Sequence, residues 1–284
     1  MLEVMTSLPA ALQTGLALVL GLLIGSFLNV VIHRLPKMME RQWQAECASM
    51  SGSDAPEPPR YNLVYPPSAC VHCQAPIRAW QNIPLLSFAL QRGRCANCGG
   101  AISWRYPLVE LVSGLMLAAF AGHWGLSGYW LWASGFGLTL LALALIDAAT
   151  QLLPDDLTYP LLWAGLLFNL DAGFVPLSQA VVGAVAGYLI LWSVYWLFKL
   201  TTGKEGMGYG DFKLLAALGA WLGWQMLPLI ILLSSLVGAL VGIVLMAAAR
   251  QGRGQPMPFG PYLAAAGLIA FLWGKPILAW YLGG

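Results

Sequence analysis

Apolar stretches of membrane-crossing length recur along this chain, and nothing else in it limits the possible folds so strongly. A helix crossing the roughly 30 Å hydrocarbon core needs about 20 mainly apolar residues, and in lipid it must satisfy all its own backbone hydrogen bonds. Such stretches fall at about 12–32, 107–122, 129–147, 157–171, 178–198, 212–224, 227–249 and 259–281. The 212–224 stretch is the weakest and reads equally as a half-span or a re-entrant helix. Only 9% of residues are charged and 59% are apolar, where a soluble domain carries about 25% charged residues. The expected fold is therefore an all-α polytopic membrane protein with about eight transmembrane helices and no large aqueous domain. No basic segment precedes the first apolar run, which is read as a retained span rather than a cleaved signal.

The basic residues set the orientation. With eight spans, one face receives the loops at 33–106, 148–156, 199–211 and 250–258, and with Lys213 these hold 13 of the 14 Lys and Arg residues, leaving only Lys275. Lys and Arg concentrate on the cytoplasmic side, so that face is cytoplasmic and both termini lie opposite. Three regions follow: a first span at 1–32, a cytoplasmic insert at 33–106, and a seven-helix membrane domain at 107–284. The partner implied by this pattern is the lipid bilayer, not nucleic acid.

The insert opens with a Ser-, Glu- and Pro-rich part from Glu40 to Pro67, expected to be an ill-ordered linker. Beyond it come Cys70-Val-His-Cys73 and Cys95-Ala-Asn-Cys98-Gly-Gly. Two Cys-x-x-Cys turns offer four thiolates, enough to close a tetrahedral Zn²⁺ site of structural type. Two disulfides or a redox pair are the alternatives, but a reducing cytoplasm disfavours the first and the second needs only one motif. His72 reads as a bystander and Cys47 as an inert fifth cysteine. In the first span Asn29 is either interhelical packing glue or a group that orients substrate. His33 and Arg34 fit headgroup anchoring.

The carboxylates carry the chemistry. Among 12 acidic residues, Asp147 directly follows the apolar run 140–146 at a helix C-terminus, where the dipole disfavours an anion. Asp155 and Asp156 precede a fresh apolar helix, so capping is their default role. Asp211 closes Gly208-Tyr209-Gly210-Asp211 ahead of another apolar helix. It is either an N-cap or an acid in a glycine-lined site that a substrate backbone could approach, with Lys204 and Lys213 flanking it. The glycines fit neither a phosphate-binding nor a Rossmann loop. Two carboxyls sharing one proton can split roles, one activating water as a base and the other polarising a carbonyl as an acid.

Five ordered motifs give a resemblance that covers essentially the whole chain. Gly25-Ser-Phe-Leu-Asn-Val-Val-Ile-His-Arg-Leu-Pro36, the two Cys-x-x-Cys turns, Asp147 with Leu153-Pro154-Asp155, Gly208-x-Gly-Asp211-x-Lys213, and Pro258-Phe-Gly-Pro261 together resemble the bacterial type IV prepilin leader peptidases. The resemblance implies a bifunctional enzyme of the inner membrane with its active site facing the cytoplasm. Such an enzyme cuts the basic leader from prepilins and type II secretion pseudopilins, just before a residue that is usually Phe. It then methylates the new N-terminal amine with S-adenosylmethionine. The resemblance maps the catalytic pair onto Asp147 and Asp211, and one structural zinc onto Cys70, Cys73, Cys95 and Cys98. The methyl-donor site has no assignment from spacing. Glu110 is a candidate to receive a cationic group, unless it only pairs with Arg105. A peptidase that does not methylate and a transporter using the acids as a proton relay are the competing readings; the latter expects inverted repeats, and none stands out.

Overall fold

A computed structural model of the chain describes residues 8–51, 60–171, 173–248 and 257–282. The basic residues Arg250 and Arg253 and the Pro-rich Ala55–Pro59 lie outside the described residues. Nine α-helices occur among the described residues: α1 (Ala10–Met50), α2 (Leu86–Leu90), α3 (Arg105–Trp124), α4 (Gly128–Thr150), α5 (Asp155–Phe168), α6 (Leu177–Thr202), α7 (Tyr209–Leu222), α8 (Leu227–Ala247) and α9 (Gly260–Leu282). Six of them, α1, α3, α4, α6, α8 and α9, are long and apolar enough to cross a membrane. The other two expected spans, α5 and α7, have 14 residues each. At 1.5 Å per residue each is about 21 Å long, short of the hydrocarbon thickness. The chain divides into two compact units, residues 1–138 and 139–284, with the boundary inside α4.

In the first unit α1 packs along α3 through glycines. A Cβ at Gly21 would lie 2.6 Å from the Ser113 carbonyl oxygen, and one at Gly25 would lie 2.8 Å from the Glu110 Cα. Such backbone proximity is how helices gain contact in lipid, where no hydrophobic drive favours association. Asn29 donates to the Gly25 carbonyl (3.3 Å) and across to the Tyr106 carbonyl (3.1 Å), which is the packing-glue reading. Helix α1 is continuous to Met50, so the expected linker is helical over 40–50. Exposed Cys47 rides on that extension. Arg34 is not a headgroup anchor. It is only 7% exposed and donates to the Asn62 carbonyl at 3.0 Å.

In the second unit α7 is buried from Asp211 to Leu222 except at half-buried Lys213, as expected of a helix that is apolar nearly all round. It packs against α5, α6 and α9. Trp221 Nε1 donates to the Leu161 carbonyl at 2.8 Å. Asn169 Nδ2 donates to the carbonyls of Ala220 (2.8 Å) and Trp221 (3.0 Å), and its Oδ1 accepts the Val175 N–H at 3.1 Å. One buried amide thus satisfies the carbonyls at the end of α7, groups that otherwise lack helical partners. Contacts at both ends of the pair show α5 and α7 running in the same direction. Lys213 meets Asp155 near their starts, and Asn169 meets Trp221 near their ends.

Helices α6 and α7 touch backbone to backbone at Gly183 and Gly219, where a Cβ on either would run into the other's carbonyl oxygen. Gly183→Ala is therefore expected to cost about 1–3 kcal/mol through overpacking and to lower the unfolding temperature in detergent. Gly15→Ala, with nothing within 4 Å, should leave that temperature unchanged or raise it.

Candidate active site

Asp147 occupies the last turn of α4, and its Oδ2 accepts the backbone N–H of Gly260 at 2.9 Å. Gly260 opens α9 within Pro258-Phe-Gly-Pro261. The close approach requires glycine, because a Cβ there would lie 2.7 Å from the same carboxylate oxygen. The free N–H at the start of α9 thus supplies the partner that the C-terminal end of α4 denies an anion.

Asp211 lies in the first turn of α7, two residues after Tyr209. The N-cap is Gly208, without a side-chain cap bond, so the capping account of Asp211 is not what forms. The Gly208 backbone amide faces its carboxylate, and the negative charge of Asp147 acts on it. Both carboxyls are nearly sealed, Asp147 being 5% and Asp211 6% exposed.

Leu153 links the two sides. A Cβ at Gly210 would lie 2.7 Å from the Leu153 Cβ, and one at Gly260 would lie 3.1 Å from its Cδ2. Asp147, Gly260, Leu153, Gly210 and Asp211 therefore form one contiguous cluster drawn from α4, α9, the α4–α5 connection and α7. Carboxyls are groups that can give and take protons in catalysis, and here each has glycine backbone at its flank.

Of the two lysines flanking Asp211, Lys213 is tied down. Lys213 Nζ binds both oxygens of Asp155 at 2.7 and 2.8 Å. Helix α5 is preceded by Pro154 and has no side-chain cap, so Asp155 is a salt-bridge partner rather than a cap. Asp156 follows it in the first turn. Lys199 pairs with Glu205 at 2.8 Å and donates to the Tyr195 hydroxyl at 3.1 Å, holding the Glu205 carboxyl below its usual range. Lys204 is exposed.

The four cysteines converge. The Sγ atoms of Cys70, Cys73, Cys95 and Cys98 all lie within 4.8 Å of one another, and Cys70 and Cys98 are 4.0 Å apart. A tetrahedron with Zn–S near 2.3 Å has sulfurs about 3.8 Å apart, so the cluster could hold such an ion. Each pair sits on a matching knuckle: Gln74 N–H bonds to Cys70 O and Cys70 N–H to Ala75 O, while Gly99 N–H bonds to Cys95 O and Cys95 N–H to Gly100 O, all at 2.8–2.9 Å. Gln74 (φ 57°) and Gly99 (φ 71°) turn the chain back. The Asn97 amide and the Ala75 backbone N–H bring the Cys73 thiol down to about 6, while burial and the neighbouring thiols push Cys98 up to about 11, so all four sulfurs become thiolates together only when a cation holds them. His72 is exposed.

Glu110, buried on α3, accepts the Leu85 N–H at 2.9 Å and faces Ser26. Ser26 in turn reaches Asn82 at 3.5 Å. Ser113, one turn along α3, is fully buried and its hydroxyl has no hydrogen-bond partner among the described residues.

The chain has recognisable relatives. Residues 19–124 match the bacterial peptidase A24 N-terminal domain and residues 134–243 the type IV leader peptidase family. Over 287 residues the chain is 58% identical to the prepilin leader peptidase/N-methyltransferase of Aeromonas salmonicida (strain A449), covering 99% of this chain and 98% of that protein. Identity to the protein of the same description from Pseudomonas aeruginosa is 57% over 271 residues, covering 93% and 92%. For that of Burkholderia pseudomallei (strain 1026b) it is 51% over 278 residues, covering 97% and 90%. No solved structure matches the chain.

Proposed function

The chain belongs to the type IV leader peptidase family, and from that premise we propose that Asp147 and Asp211 are the acids with which it removes the leader of prepilins. It is a bacterial integral membrane protein, a peptidase and N-methyltransferase. The observation that carries the site assignment is the convergence of two buried carboxyls, each flanked by glycine, through the single side chain of Leu153. With the charge of Asp147 acting on Asp211, the two acids do not ionise together comfortably, and the pair holds one proton. The ionised carboxyl takes a proton from water as the oxygen attacks the scissile carbonyl. The protonated carboxyl hydrogen-bonds the carbonyl oxygen, and a proton then passes to the leaving amine. Substrates include type II secretion pseudopilins. The site lies at the cytoplasmic face of the inner membrane, where a basic leader meets the start of an apolar helix. Incubating purified enzyme with a prepilin peptide, each aspartate in turn intact or replaced, tests this assignment.

Two cofactors complete the reading. Cys70, Cys73, Cys95 and Cys98 hold one structural zinc ion, whose binding energy folds an insert with few buried apolar groups of its own. S-adenosylmethionine supplies the methyl group when bound. Glu110 is the carboxylate proposed to receive a positive charge there, with Ser26 beside it. Losing a charged partner costs about 1.5–3 kcal/mol. Glu110→Gln should therefore slow methyl transfer about 10–100-fold and leave cleavage intact. Mass spectrometry of the processed N-terminus reads both, and full methylation in this variant removes Glu110 from the site.

A further inference from the structure

We propose that Leu153 forms the wall of the subsite that receives the residue just after the cut, and so sets the size of the side chain accepted there. The inference rests on the dyad reading above. Both carboxyls are almost fully buried, yet a peptide carbonyl must come within hydrogen-bond reach of one of them. Something now filling the approach has to give way. Leu153 occupies that approach from both sides: it abuts Gly210, the neighbour of Asp211, and Gly260, the donor to Asp147.

The placement of Leu153 suits such a role. It is half-buried and apolar, and it sits on a four-residue connection between α4 and α5 rather than within a helix. That connection starts at Gln151, whose backbone is left-handed (φ 57°) and whose N–H is fixed to the Asp147 carbonyl at 2.8 Å. It ends at Pro154, the N-cap of α5. The turn therefore lays one leucine against Gly210 and Gly260, the neighbours of the two acids, from a segment outside any helix. A large apolar residue at the start of the substrate's apolar helix can fill the space Leu153 yields, keeping the buried apolar volume constant. Gly210 and Gly260 then present bare backbone to the incoming chain.

The test compares full-length enzyme in lipid with Leu153→Ala and Leu153→Trp, on three prepilin peptides that carry Ala, Phe or Trp after the cut. Leu153→Ala is expected to raise kcat/KM for the Trp peptide relative to the Phe peptide at least tenfold. Leu153→Trp should lower the Phe peptide relative to the Ala peptide by a similar factor. A purely structural role would scale all three peptides by one common factor in both variants, and that result overturns the proposal. Should Leu153→Trp fail to accumulate, the Leu153→Ala ratios alone decide. Asp147→Asn run alongside keeps the two readings apart: activity surviving there sinks the dyad, whereas unchanged ratios with a working dyad sink only the subsite.

Discussion

Asparagine in place of Asp147 or Asp211 is expected to slow prepilin cleavage at least a thousandfold, on the order of what a general acid or base contributes, in a protein that still folds. The isosteric amide keeps most of the local structure. At position 147 its carbonyl oxygen can still accept the Gly260 N–H that the carboxylate holds at 2.9 Å. What it loses is the ability to take or give a proton. Position 211 has no helix-capping task to lose, because Gly208 is the cap of α7. Replacement there should change chemistry far more than stability. Cleavage rates with a prepilin peptide, read beside thermal unfolding of the same samples, separate the two effects. Wild-type activity in either variant removes that residue from the mechanism.

The second large effect is expected at the cysteine cluster. Changing Cys70 and Cys73 to Ser together should release about one zinc ion per chain and leave the insert open to protease. Structural zinc contributes roughly 10–16 kcal/mol of binding energy in small peptides, far more than the single turns around these knuckles can supply. The two isolated bridges, Ala69 with Pro76 and Arg94 with Ala101, are too small to fold alone. Methylation should fall more than cleavage, since Asp147 and Asp211, the acids proposed for cleavage, both lie within residues 139–284. Metal analysis by plasma mass spectrometry, with limited proteolysis, checks this outcome. Equal zinc content in wild type and variant would contradict it.

The sequence exposed the two aspartates for a simple reason: an acid after a long apolar run at a helix C-terminus has no cheap explanation, and alternate glycines beside another acid have few. The four cysteines are equally plain, because each Cys-x-x-Cys turn brings its own two thiols together and the fold only has to join the two turns. What stayed hidden depended on contacts between segments far apart in the chain. The N–H of Gly260 reaches Asp147 across 113 positions, and no periodicity marks that. Leu153 looks like any apolar loop residue until Gly210 and Gly260 are seen against it. Arg34 reads as a surface anchor because its carbonyl partner, Asn62, lies in an insert that hydropathy leaves blank. Apolar run length also leaves α5 and α7 undecided as spans. Each has 14 residues: α7 is buried by neighbouring helices and has its last carbonyls satisfied by Asn169, whereas α5 keeps Tyr159, Trp163 and Leu167 exposed.

The most direct measurement of the central claim is a mutant cycle on the acids: cleavage rates for wild type, Asp147→Asn, Asp211→Asn and the double variant, in one lipid preparation. Groups acting as one unit lose their function together, so the double variant should be no slower than either single one. Losses that multiply, or a single variant that cuts at the wild-type rate, would mean that Asp147 and Asp211 do not share the work of breaking the bond.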